Sequence, residues 1–127
     1  MQTVVNLMFV GAGGFIGAIS RFLVSVWVGQ RWGRVFPFGT FVANVLGCFL
    51  IGLAMTVFNE RIIVSPHVRL LIGVGFIGAF TTFSTFEYET GALMMDGEWL
   101  MAFLNVVGSL TAGFIALKAG ELLAKTI

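Results

Sequence analysis

The chain has 127 residues, 58% of them hydrophobic and 10% charged, against roughly 45–50% apolar and about 25% charged in an ordinary soluble domain. So little polar surface, with a mean hydropathy of +1.02, excludes a water-soluble globular protein and makes lipid the solvent. A net charge of +1 without any cluster of Lys and Arg also excludes nucleic acid as a partner, because its phosphates need several cations on one face.

A membrane helix needs about 20 mostly apolar residues. That window predicts an all-α membrane protein, a single four-helix domain over 1–127 with spans near 4–28, 38–58, 68–95 and 99–123. The first span is expected to be a membrane helix rather than a cleaved signal peptide, since no basic residue precedes it, Arg21 sits near its far end and further spans follow. Its GAGGFIG run sets Gly13 and Gly17 four apart, a spacing that lets helix backbones approach closely, within one chain or between chains. Arg21 either snorkels to the interface or acts electrostatically at a pore mouth.

QRWGRVFP leads into the second span, where Asn44 is the only amide at mid-depth. Its NH₂ offers two donors, to an anion or to a neighbouring helix. Thr40, four residues earlier, shares its helical face, so the two form one polar track. The single cysteine, Cys48, excludes an internal disulfide and a multi-thiolate metal site, and reads as a free buried thiol. The single histidine, His67, has no partner for zinc and reads as a solvated loop residue after Pro66.

The third span opens as LLIGVGFIGAF, passes into TTFSTF and continues as EYETGALMM. Thr81, Thr82, Ser84 and Thr85, preceded by Gly73, Gly75 and Gly78, predict a broken helix, in which glycine loosens the backbone and hydroxyls satisfy the freed groups. Broken membrane helices aim carbonyls and amides inward, the usual way to build an ion site in lipid. The alternative is a kinked, continuous helix with back-bonded hydroxyls. With 14 Phe in the chain, most must face lipid or core. Yet Phe83 and Phe86 flank hydroxyl donors, and the positive edge of a phenyl ring can replace part of the hydration of a small hard anion.

The fourth span follows a short MDGE and carries Asn105 and Ser109, four apart and facing one way, a second donor track. Glu87, Tyr88 and Glu89 follow the hydroxyl run, and Lys118 and Glu121, three apart, are spaced to pair. The candidate pore set is Asn44, Phe83, Phe86 and Ser109, with Thr40, Thr82, Ser84, Thr85, Asn105 and Arg21 beside them.

With an even number of spans, Arg61, Arg69 and Lys125 lie on one side and Arg31 and Arg34 on the other, with Lys118 and Arg21 deeper in their respective spans. That is almost no positive-inside bias. Either a weak bias sets one orientation, or the chain inserts both ways and pairs as an antiparallel homodimer. A lone four-helix chain also has little interior, so any path through it is very thin or shared with a partner.

These residues resemble the Fluc fluoride channel family, also called CrcB-like proteins. The motifs that carry the resemblance are GGFIGAISRF around Arg21, PFGTFVANVLG around Asn44, GFIGAFTTFSTF from Gly75 to Phe86, and GSL around Ser109. The resemblance implies a dual-topology antiparallel homodimer in the cell membrane, with two fluoride pores along the dimer interface and passive export of fluoride. By the same resemblance Asn44 would sit at a pore entrance or polar track, Phe83 and Phe86 would line the pores with ring edges toward fluoride, Ser109 would extend the track and Arg21 would match an arginine near the membrane edge. Backbone carbonyls of Gly78 and Thr81 would hold a structural sodium ion (Na+) on the dimer axis. Glu87, where many members carry a small polar residue, and Asn105, at a variable position, depart from the pattern.

Two rivals have less support. A four-span proton-coupled drug exporter needs a carboxylate in the first span, and no carboxylate occurs before Glu60. A packing subunit of a larger complex would use Asn44, TTFSTF and Ser109 only as interhelical glue. Enzymatic activity has no support, since one His and one Cys cannot assemble a nucleophile, base and orienting group.

Overall fold

A computed structural model describes residues 1–32 and 34–127. The chain is all helical among these residues, with α1 (Gln2–Trp32), α2 (Phe38–Arg61), α3 (Pro66–Met95) and α4 (Trp99–Thr126), each long and apolar enough to cross a membrane. The helices run past the apolar stretches at their ends, because backbone hydrogen bonding continues where the side chains turn polar.

Local chemistry sets the ends. Ser65 caps α3 by accepting the Val68 N–H at 3.3 Å, with Pro66 at the first helical position, where its missing N–H costs nothing. His67 therefore lies in the first turn of α3 rather than in a loop, stacked on Phe9 at 4.7 Å and with its Nε2 2.9 Å from Gln2 Nε2. At the other end of α3, Gly97 takes φ +76°, which glycine adopts without strain. The Glu98 N–H then reaches Leu93 C=O at 2.8 Å and the Gly97 N–H reaches Met94 C=O at 3.1 Å, a Schellman closure that turns the chain directly into α4.

Packing runs through small residues. α1 lies against the 66–80 half of α3, and α2 against α4. A side chain at Gly13 would strike the Leu71 carbonyl and one at Gly17 the Phe76 carbonyl, while one at Gly75 would meet Val10 O at 2.7 Å. The glycine pair of α1 thus serves a contact within the chain. Over Leu70–Ile77 the helix is wound wider, and the Gly78 N–H reaches back five residues to Gly73 C=O.

The buried apolar core is thin, with Ala43, Phe80, Ala102 and Ala124 at its centre, while Phe15, Phe22, Trp27, Phe114 and Ile115 stand outward and exposed. Such a surface suits lipid, not water. Cations tie the helix ends: Arg69 donates to Phe58 C=O at 2.6 Å and Asn59 Oδ1 at 2.8 Å, and Arg61 donates to Ala124 C=O at 3.2 Å. Both sit where carbonyls at a helix C-terminus carry partial negative charge. Lys118 and Glu121 pair at 2.9 Å on the surface of α4.

Candidate functional site

Helical bonding in α3 stops after Phe80 and resumes at Phe83. Between them Thr81 (φ −97°, ψ 157°) and Thr82 (φ −150°, ψ 125°) are extended. Backbone groups freed at this depth have no water to turn to, so each needs a protein partner. The Thr81 N–H and hydroxyl both reach back to Ile77 C=O at 3.1 Å. Arg21, half-buried on α1, donates its Nε–H to Ala79 C=O at 3.1 Å, placing a cation on the C-terminal end of the first helical half.

Asn44 binds the interruption from α2. Its Oδ1 accepts the Thr82 N–H at 2.7 Å and its Nδ2 donates to Thr82 C=O at 3.0 Å. The amide therefore stands in for a strand partner to a residue that has left the helix, and one of its two N–H groups is not used by either bond. Gly47, one turn on, lets this approach happen: a side chain there would overlap the Thr81 methyl. The Thr82 hydroxyl then caps the second half of α3 by accepting the Thr85 N–H at 3.2 Å.

A groove of about 460 Å³ opens beside the interruption, and its walls include Asn44, Gly78, Thr81, Thr82, Phe83, Phe86 and Ser109. Phe83 is 75% exposed and Phe86 9%, with ring centres 6.1 Å apart. The two rings, the Asn44 amide and the residues Thr81, Thr82 and Ser109, drawn from three spans, thus line one groove. Cys48 also lines this groove and is half-buried.

The remaining candidates lie elsewhere. Thr40, 7% exposed, lines a second cavity of about 340 Å³ with Ser25, Arg34, Asp96 and Glu89, whose Oε1 is buried without a hydrogen-bond partner among the described residues. Ser84 is exposed and Thr85 half-buried, both outside the groove wall. Asn105 is 2% exposed and sits behind the groove, donating to Thr90 Oγ1 at 2.9 Å and accepting from Ser109 at 3.3 Å. Thr90 and Ala79 were not singled out from the sequence. Thr90 lies one helical turn past Phe86, a spacing that marks it, while a backbone carbonyl such as that of Ala79 leaves no residue-type signal at all.

No three His, Cys, Asp or Glu side chains gather to hold a metal ion among the described residues. Near the interruption, the backbone carbonyls of Gly78 and Thr81 receive no hydrogen bond from a side chain or loop N–H among the described residues.

The model of the family described as CrcB-like protein, camphor resistance (CrcB), matches residues 8–121. The chain belongs to the CrcB family. Among its relatives, a protein of Chlorobaculum tepidum named fluoride-specific ion channel FluC is 52% identical over 120 residues, covering 94% of each chain. Proteins of the same name from Acidobacterium capsulatum and Solibacter usitatus are 48% and 45% identical, covering 94% and 93% of this chain and 96% and 97% of theirs. These relatives are named as ion channels, a non-enzymatic class, and the four apolar helices make this CrcB-family chain a multi-pass membrane protein.

Proposed function

We propose that this CrcB-family chain is a fluoride-selective channel that lets fluoride leave the cell passively through two pores of a dual-topology antiparallel homodimer. The observation that carries the reading is the groove in which an interrupted membrane helix, held open by Asn44, meets Phe83, Phe86 and Ser109. We read residues 81–82 as a break in the third helix. The second half begins at Phe83, and the N-terminus of a helix presents free N–H groups and partial positive charge, favourable to an anion. Ring edges and hydroxyls add weak donors without a fixed cation, so an anion is solvated and then released; conduction needs both.

The groove faces outward, and Phe83 on its wall is uncovered in a single chain. A second, inverted copy would close the groove into a pore, and the nearly even distribution of Lys and Arg supports insertion in both orientations. The donor set also fits a structural sodium ion. Gly78 and Thr81 would hold it by their carbonyls, hard oxygen donors suited to a hard cation, at the C-terminal end of a helical half where partial negative charge gathers. When bound, the ion would supply positive charge there, while the neighbouring Ala79 C=O already accepts from Arg21.

The test is fluoride efflux from liposomes loaded with purified protein. Rapid fluoride release with chloride almost excluded is expected, slowed when a large organic cation replaces sodium. Equal leak of both halides, or none of either, overturns the channel reading, and indifference to the cation overturns the sodium site.

A further inference from the structure

Behind the groove wall a chain of hydrogen bonds has only one possible proton direction. The Phe86 carbonyl can only accept, so the Thr90 hydroxyl, 2.7 Å away, gives it its single proton. Thr90 Oγ1 then has only lone pairs left, and the Asn105 nitrogen at 2.9 Å donates to them. The amide is thereby turned with its oxygen toward Ser109, whose hydroxyl donates its own single proton there at 3.3 Å. Asn105 is 2% and Thr90 5% exposed, so water is kept from both, whereas Ser109 lines the groove.

We propose that Asn105 and Thr90 are positioning residues that hold the Ser109 proton away from the groove, so that fluoride gains this donor only by turning the hydroxyl off Asn105. The inference rests on the reading of the groove as a fluoride path. At rest Ser109 offers the groove lone pairs, which repel an anion. An arriving fluoride must break the Ser109–Asn105 bond, and at 3.3 Å that bond is long for O–H···O and readily given up. When the ion moves on, Asn105 takes the proton back. The amide thus competes with the ion for one hydrogen, weakening the site enough to let fluoride leave. Asn105 acts through Ser109 without touching the ion.

The experiment compares the fluoride concentration that half-saturates efflux in liposomes across a small set of variants. Thr90→Val removes the hydroxyl that orients the amide, so Asn105 can turn its nitrogen to Ser109 and release the serine proton to the groove. Asn105→Leu removes the competing acceptor outright. Both should lower the half-saturating concentration roughly threefold to tenfold, the worth of one neutral hydrogen bond, with slower release at saturation. Thr90→Ser, which keeps the hydroxyl, should behave as the unaltered protein, and neither shift should survive in a Ser109→Ala background. A half-saturation unmoved in Thr90→Val and Asn105→Leu, or moved equally without the Ser109 hydroxyl, overturns the inference while the channel stands. Absence of fluoride efflux in the unaltered protein overturns both. Thr90→Val preserves side-chain shape and carries the test if Asn105→Leu does not elute as a single species in size exclusion.

Discussion

Residues 66–80 of α3 press glycine and bare backbone against α1, whereas Phe83–Met95 meets α4 through a hydroxyl and an amide and leaves Phe83 uncovered. The first half is a closed surface: Gly13, Gly17 and Gly75 bring backbones so near that no Cβ fits between them. Its gain is dispersion over many close contacts, which in lipid replaces the hydrophobic effect as the force between helices. The second half is an open surface, in which polar groups are satisfied one by one and an apolar ring is left without a cover. A bilayer tolerates both, and the open half supplies Phe83 and Phe86 to the groove wall. Asn44 and Arg21 stand at the seam between them, hydrogen-bonded to the backbone of Thr82 and of Ala79.

Breaking the closed half should have the largest effect. Gly13→Leu forces a side chain into the Leu71 backbone, and a shift of α1 against α3 is expected to cost more than about 3 kcal/mol, read as loss of the thermal unfolding transition in detergent. A variant that unfolds like the original protein would show that this contact is loose. Next comes the seam: Asn44→Leu strips Thr82 of partners for both its N–H and C=O, at a cost of about 2–4 kcal/mol, with fluoride efflux falling more than tenfold. Efflux that persists at full rate in this variant would separate the groove from conduction.

Arg21→Met removes one charge-assisted bond to Ala79 C=O and should cost about 1–2 kcal/mol in the same unfolding measurement, less than Asn44 because a single carbonyl loses its donor. A larger loss than for Asn44 would move the seam's main support to α1. Smallest of all is Lys118→Ala, remote from both halves: its ion pair with Glu121 lies on the surface, so the change should stay within about 0.5 kcal/mol. That variant sets the floor against which the others are judged.

Much of this was legible along the chain. Asn44, as the mid-depth amide of its span, and the polar TTFSTF run are visible because polar residues at membrane depth are too costly to be incidental. Gly13 and Gly17 announced a close contact from spacing alone, though not which helix they touch, since the partner Phe76 contributes backbone that any residue has. Nothing local to His67 reveals that it stacks on Phe9, because a partner so distant in sequence is invisible to a local window. Asn105 was grouped with the donor track by its four-residue spacing to Ser109. Its 2% exposure instead puts it behind the wall, and spacing on one helix cannot say how deep a face is buried by the next.

The amino-acid sequence by itself determined the solvent, the number of helices and the identity of the polar residues, because hydropathy, length and residue type act locally. The tertiary structure decided how those groups are spent. It gave the Asn44 amide to the Thr82 backbone, the Arg21 cation to Ala79 and the Ser109 proton to Asn105. A donor's partner is whatever acceptor the fold brings within about 3 Å, and that pairing exists only once helices far apart in the chain are packed side by side.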